Sequence, residues 1–353
     1  MTKAKRVGII LLAIVLVLGA VSFAFDRWML GQTYERFPGR TASILPTYED
    51  YDAAAYPRTD VAFQLNEYTL RGHVYGPQNT RGLIVLRHGI FSQHQDYLCF
   101  ITAFVDKGWR VFAYDAIGCG ESDGDSTLGM SQSPIDVAAA VNFARESGMA
   151  GGLKIALVGH SWGGYGVAAA LGRTEDIAAC VTMSGFDTPM KVINYSAEDA
   201  LGPIAATQAP LFWLATTLDF GADANVSASQ AIRDTGVPTL VVHGMGDNTV
   251  PYENVSIAYQ FRDSEEGAPD NVSVTLLSEE GRNGHNTYFF SKESQEYFNE
   301  CMTEMNDIVT ECGDDPTAPE VAAFRETVDI PRANIANPEL VEEIDAFLGK
   351  HLS

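Results

Sequence analysis

The chain has 353 residues, enough for one large α/β domain with insertions or for two small domains. Its hydrophobic content of 46% is ordinary for a globular protein, and its formal net charge of −23 argues against nucleic acid as a partner. The acidic residues are spread along the chain, as on a solvated surface.

At the N-terminus, Lys3, Lys5 and Arg6 precede an uncharged run from Val7 to Phe25, closed by Asp26 and Arg27. Its 19 residues are close to the length that crosses a bilayer as a helix. Positive charge ahead of the run keeps that end in the cytoplasm. Residues 1–25 are therefore expected to form a signal-anchor segment, single-pass in the cell membrane, with the remainder extracytoplasmic. The alternative is a secreted protein cleaved after Ser22-Phe23-Ala24, although a signal peptide's apolar region is normally shorter.

Residues 26–59, with Pro38, Pro46 and Pro57, read as a juxtamembrane linker. Two strands follow, Val61–Leu65 and Tyr68–Tyr75, with Asn66-Glu67 as the turn of a hairpin. Strands and helices then alternate: strand Leu83–Arg87, helix Tyr97–Lys107, strand Arg110–Tyr114, helix Pro134–Glu146, strand Lys154–Val158, a small-residue helix from Gly164 to Leu171, and strand Ile177–Met183. Strands Val237–His243 and Val272–Leu277 complete the set. This order predicts a mostly parallel sheet with helices on both faces, spanning residues 60–353. Two segments interrupt it. Residues 188–235 carry Leu201, Ile204, Leu211, Phe212, Trp213, Leu214 and Phe220, and are expected to cap the site, with a connecting helix packed on the core as the alternative. Residues 286–337 place Tyr297, Phe298, Cys301, Met302, Met305, Ile308 and Val309 at helical spacing opposite an acidic face. That pattern predicts an amphipathic helix docked on the domain; a second lid element or a partner surface is the other reading. A last helix runs from Leu340 to Lys350, with Asn337 as N-cap and Pro338 in its first turn.

Five cysteines are present. Cys99, Cys119 and Cys180 fall in core elements as small buried hydrophobes. Cys301 and Cys312 are the close pair; unbroken helix would hold them about 16 Å apart, against about 5–6 Å between the Cα atoms of a disulfide. No Cys/His spacing marks a metal site, and no cofactor is expected.

The chemistry centres on Gly159-His160-Ser161-Trp162-Gly163. A G-x-S-x-G turn between a strand and a helix lifts the serine hydroxyl out at the carboxyl edge of a sheet. A serine needs a base to take its proton, and the base needs an orienting acid. Asp247 follows a strand and a Gly-rich turn, His243-Gly244-Met245-Gly246-Asp247, where such an acid would sit; Asp187 is its rival. His285 lies in the polar loop after Val272–Leu277 and is the candidate base, whereas His351 reads as a surface residue of the last helix. The oxyanion of an acyl-transfer intermediate needs backbone N–H donors. Trp162, next to the nucleophile, and Ile90 in His88-Gly89-Ile90-Phe91 are the candidates, with Phe91 as the alternative to Ile90. His88 is expected to pack or hydrogen-bond beneath that loop.

Four motifs in order, His88-Gly89, Asp115 to Ser122, Gly159 to Gly163 and His243-Gly244 to Pro251, make the chain resemble the α/β-hydrolases over about residues 60–353. Within them it is similar to the monoacylglycerol-lipase and serine-aminopeptidase branch. The resemblance implies that Asp115 braces a loop. It also implies that Ser161, rather than an aspartate, makes this a serine hydrolase, unlike the haloalkane dehalogenase and epoxide hydrolase branches. The expected substrate is a small-molecule carboxylic ester. A peptidase or amidase is the alternative, with Glu198, Asp199, Asp219 or Asp223 available to hold a substrate amine; a non-catalytic surface protein is the reading from another class.

Overall fold

A computed structural model describes residues 2–40 and 43–352. Eight strands form one sheet in the order β1-β2-β4-β3-β5-β6-β7-β8. Their ranges are β1 Arg58–Leu65, β2 Tyr68–Tyr75, β3 Leu83–Arg87, β4 Arg110–Tyr114, β5 Ile155–His160, β6 Ile177–Met183, β7 Thr239–Gly244 and β8 Val272–Leu277. β1 and β2 form the antiparallel hairpin turning at Asn66, and β2 pairs antiparallel with β4; every later pairing is parallel. All five residues of β3 are buried, as a strand covered on both faces requires. Alternate side chains separate into two cores. Leu83 and Val85 of β3, Phe112 and Tyr114 of β4, and Ile155 and Leu157 of β5 enter one; Ile84, Leu86, Val111, Ala113, Ala156 and Val158 enter the other.

The helices are α1 Lys3–Thr33, α2 Leu98–Asp106, α3 Ser133–Glu146, α4 Trp162–Ala169, α5 Pro189–Leu201, α6 Ala205–Phe220 and α7 Ala228–Thr235. After β7 come the short α8 Tyr252–Val255 and α9 Ile257–Arg262; after β8 come α10 Lys292–Glu311, α11 Pro319–Thr327, α12 Ile330–Ala333 and α13 Pro338–Leu352. Side chains of α3, α4, α7 and α9 join the first core, and those of α2 and α13 the second. β7 starts two residues later than its apolar run because Pro238 has no N–H to give the ladder, although its carbonyl accepts from Cys180.

α1 is long and apolar enough to cross a membrane, and the apolar window within it is not buried in the protein. The following residues differ from a loose linker. The Phe37 N–H donates to Gly118 O, and the Phe37 carbonyl accepts from Gly120. The Arg36 guanidinium donates to the carbonyls of Gly120, Ser122 and Gly124. Ile44 is fully buried among Cys301, Met305, Val321 and Ala333, and Arg325 binds the carbonyls of Ser43 and Leu45 and the carboxylate of Asp50. The prolines suggested an open connection, but Tyr34, Ile44 and Leu45 supply apolar area that outweighs the cost of ordering it.

α10 is unbroken from Lys292 to Glu311, so Cys301 and Cys312 remain apart as free thiols; Cys99, Cys119 and Cys180 are buried. Ile44→Ala should lower unfolding free energy by about 2–5 kcal/mol, read by denaturant titration of the full chain. A change below about 0.5 kcal/mol, the usual range for surface positions, would show that this segment is not part of the folded unit.

Candidate active site

β5 ends at His160 and α4 begins at Trp162, which leaves Ser161 alone on the turn at φ 58° and ψ −121°. A side chain seldom adopts such backbone angles, so the surroundings must impose them. The Ser161 N–H donates to Met183 O on β6 at 2.8 Å, and the Ser161 carbonyl accepts from Tyr165 at 2.9 Å. The flanking glycines let the chain close on itself. A Cβ on Gly159 would stand 2.3 Å from Gly163 O, and one on Gly163 would stand 2.1 Å from Arg87 O.

The loop after β3 lies against this turn. A Cβ on Gly89 would meet Ser161 Cβ at 3.3 Å. Phe91 takes a positive φ of 48°, and its carbonyl accepts from the Arg40 guanidinium. Beneath the loop, His88 Nδ1–H donates to Gly89 O at 2.8 Å, and His88 Nε2 accepts from Ala116 N–H at 3.0 Å. Burial pushes this imidazole down to about 3, so it remains neutral. Asp115 accepts from the backbone N–H and the Nδ1 of His94 and from Glu121 N–H, and so ties three stretches of loop together.

Asp247 and His285 come from the ends of β7 and β8. His285 Nδ1 and Asp247 Oδ2 are 2.7 Å apart. The other carboxylate oxygen accepts from the N–H groups of Thr249 and Val250 at 2.9 and 2.8 Å. Burial alone would raise the Asp247 carboxyl. The hydrogen bond and charge of His285, with the Val250 N–H, reverse that and hold it below the usual carboxylate range. Gly244 lets the histidine loop pass close, since a Cβ there would lie 2.3 Å from Asn283 O. The rival acid, Asp187, is engaged elsewhere: it accepts from Ser227, Ser229 and Lys191 and fastens the two ends of the 188–235 excursion.

Three residues that the sequence did not single out connect these loops. His160 is buried, and that burial together with the neighbouring His285 imidazole holds it neutral. Its Nε2 lies 3.0 Å from the His285 carbonyl, which can only accept, so Nε2 carries the proton. Nδ1 must then accept, and it does so from the Tyr97 hydroxyl at 2.8 Å. The Tyr97 oxygen in turn accepts from Gly89 N–H at 3.0 Å. Ser184 adds a second bond to the His285 carbonyl and a bond to Tyr288. The loop after β3, the serine turn and the histidine loop are thus joined through buried hydrogen bonds. His160 stood inside the G-x-S-x-G match itself; its role was hidden because its partners are 63 and 125 residues away.

Ser161, His285 and Ile90 line one cavity of about 310 Å3. Among the described residues, no hydrogen bond joins Ser161 Oγ to His285; the two share this cavity. Its other walls are Arg40, Ser43 and Leu45 from the stretch after α1, and Phe289, Phe290, Gln295, Phe298 and Met302 from the insertion after His285. Residues 188–235, expected as the cap, contribute no wall to it among the described residues. Within that stretch α6 packs along α1, and α7 packs against α4. Trp162 is buried, with its indole N–H on Met130 O and its ring 5.9 Å from that of Tyr34.

A family model for the alpha/beta hydrolase fold matches residues 82–202. YfhR of Salmonella typhi, an uncharacterised protein, is 23% identical over 186 residues, 52% of this chain and 60% of YfhR. The chain therefore spans less than two thirds of that relative. YfhR of Salmonella typhimurium is 24% identical over 186 residues, again 60% of its length. An esterase from Pyrococcus furiosus superposes with a TM-score of 0.57 at 14% identity, covering 90% of this chain and 99% of the esterase. A second crystal form of it gives 0.51 at 16% identity, covering 74% and 95%. At these identities the structures speak to the fold alone. Sheet order, the serine turn between β5 and α4, and the family-model match over residues 82–202 together show that this chain has the alpha/beta hydrolase fold.

Proposed function

We propose that the chain is a membrane-anchored serine hydrolase that cleaves carboxylic esters through an acyl-enzyme. The observation that carries this reading is the 2.7 Å Asp247–His285 hydrogen bond beside the cavity that Ser161 and His285 share. With Nδ1–H committed to Asp247, Nε2 of His285 is the nitrogen left to take the serine proton. Ser161 Oγ then attacks the ester carbonyl, and the new oxyanion turns toward the Ile90 and Trp162 N–H groups. Neither N–H donates to a protein acceptor among the described residues, and the Trp162 group opens a helix, where partial positive charge gathers. Ile90 lines the cavity and Phe91 does not, which favours the former. His285 returns the proton to the leaving alkoxide. Water, deprotonated by the same imidazole, then releases the acid.

The cavity favours an ester over a peptide with a free amine. Glu198, Asp199, Asp219 and Asp223 do not line it. Asp96 does, but it already accepts from Ser92 and pairs with Arg40. Leu45, Ile90, Phe289, Phe290, Phe298 and Met302 suit an apolar acyl or aromatic group. In this reading α10 and the stretch around Leu45 form the lid, in place of residues 188–235. The basic residues ahead of the apolar run support a catalytic domain outside the cytoplasm.

A fluorophosphonate probe should label the full chain and leave Ser161→Ala unlabelled; labelling that survives would remove the nucleophile. Asp247→Asn should cut kcat on p-nitrophenyl butyrate by about 10⁴, the loss expected when the imidazole takes the wrong tautomer; a loss below tenfold would make Asp247 a bystander. Tyr97→Phe strips the partner from Gly89 N–H and from His160 Nδ1, and should cost about 1–3 kcal/mol in thermal or denaturant unfolding. Unchanged stability would mean that the buried chain of bonds does not hold the three loops. Phe298→Ala should raise kcat/KM for octanoate relative to acetate by roughly tenfold, as extra apolar room for the acyl chain allows. An unchanged ratio would place α10 outside the acyl site.

A further inference from the structure

We infer that the exposed face of α6 is a second membrane-contacting surface, seated in the acyl and glycerol region of a phospholipid bilayer beside α1. The inference rests on the anchor reading of α1. Between Asp199 and Asp219 the chain carries no charged residue, a run as long as that of the anchor itself. Charges that would normally solvate an exposed helix face are therefore missing from this one. Ile204, Trp213, Leu214 and Leu218 are 63%, 51%, 41% and 67% exposed, and Pro203 and Pro210 are exposed among them. Apolar patches of this kind mark contact surfaces rather than solvated ones.

The packing of α6 on α1 identifies what covers the patch. The Gln208 amide meets the Ser22 hydroxyl, and Arg27 reaches Ala215 O and the Asp219 carboxylate. Residue numbers rise together along both helices, so α6 lies parallel to the end of α1. Ser22 belongs to the uncharged run, about 6 Å short of Asp26 at 1.5 Å per residue. Gln208 is level with it, and Ile204 stands a further turn in. Where α1 crosses a bilayer, that end of α6 is already beneath the bilayer surface. Trp213 and Leu218 lie further along toward the polar side, the level at which tryptophan is enriched. The exposed Trp28 of α1 marks the same rim. Thr207 donates to Ile204 O and Ala205 N–H to Gly202 O, so the turn entering α6 has these carbonyls paired, and the exposed Glu198 and Asp199 ahead of it keep the end of α5 at the polar level. With no basic residue in the run, the surface recognises apolar lipid rather than an anionic headgroup.

The test uses the full chain in phosphatidylcholine vesicles, with plain or dibrominated acyl chains, followed by tryptophan emission. Trp109 and Trp162 are buried, which leaves Trp28 and Trp213 as the lipid-accessible reporters. Quenching by brominated lipid should shrink in Trp213→Phe, and by a comparable share in Trp28→Phe. Quenching that falls only in Trp28→Phe would leave the anchor standing and overturn the α6 surface, as would a second copy of the chain covering Trp213. Quenching unchanged by either substitution would overturn anchor and surface together. Loss confined to Trp213→Phe would support the surface and move the rim on α1. Trp213→Phe is conservative and exposed, so its unfolding midpoint should match that of the parent chain.

Discussion

Ser161 sits at backbone angles that cost on the order of 1–3 kcal/mol to hold, and much of the surrounding structure can be understood as what holds it there. β6 supplies the carbonyl that fixes its N–H. β3 comes so near that Gly163 has no room for a side chain against Arg87 O. Gly159 and Gly163 press on each other across the turn. Each of these contacts needs β5 at the centre of the sheet, flanked by β3 and β6, which is where the topology puts it. The strain is therefore stored between rigid strands and is not relaxed by a mobile loop.

The same central position explains the buried bonds around His160. His160, on β5 just before the turn, is buried at the cavity wall, where an imidazole must find partners on both nitrogens. Tyr97 arrives from the segment before α2, and the His285 carbonyl from the loop after β8. Burial makes each bond expensive to leave unmade, so the three loops share one low-energy arrangement. Asp247 is held separately, by two backbone N–H groups of its own turn. The imidazole of His285 is thus fixed from two sides: its backbone by His160 and Ser184, its ring by Asp247.

Local pattern carried the strands well. Leu83–Arg87, Arg110–Tyr114 and Val272–Leu277 show as apolar runs between turns and form strands over those same residues. Asp247 and His285 could be picked out because each follows such a strand in a Gly-rich or polar loop. What local pattern could not carry was contact across long separation. Residues 188–235 look like a lid by apolar content, but whether an apolar helix covers a cavity or flanks another helix depends on where the sheet places it. Ser43 and Arg325 lie 282 residues apart, and no local signal joins them. The prolines near Ile44 suggested a tether, and only its burial among α10 to α12 side chains shows otherwise.

Tyr34, one residue beyond α1, is buried against Trp162, the neighbour of Ser161, and its carbonyl accepts from Ser126 and Thr127. Arg36 and Phe37 then lock the chain onto the loop that Asp115 braces. There is no slack between the apolar helix and the serine turn. A domain on a leash would sweep a volume and meet dissolved molecules from any side. This one, with its helix in a bilayer, would hold Ser161 at one altitude and one heading. Its encounters would then be ruled by how substrates are stratified above the lipid surface, and lengthening the chain between Thr33 and Tyr34 would change which layer it samples before it changed any step of the chemistry.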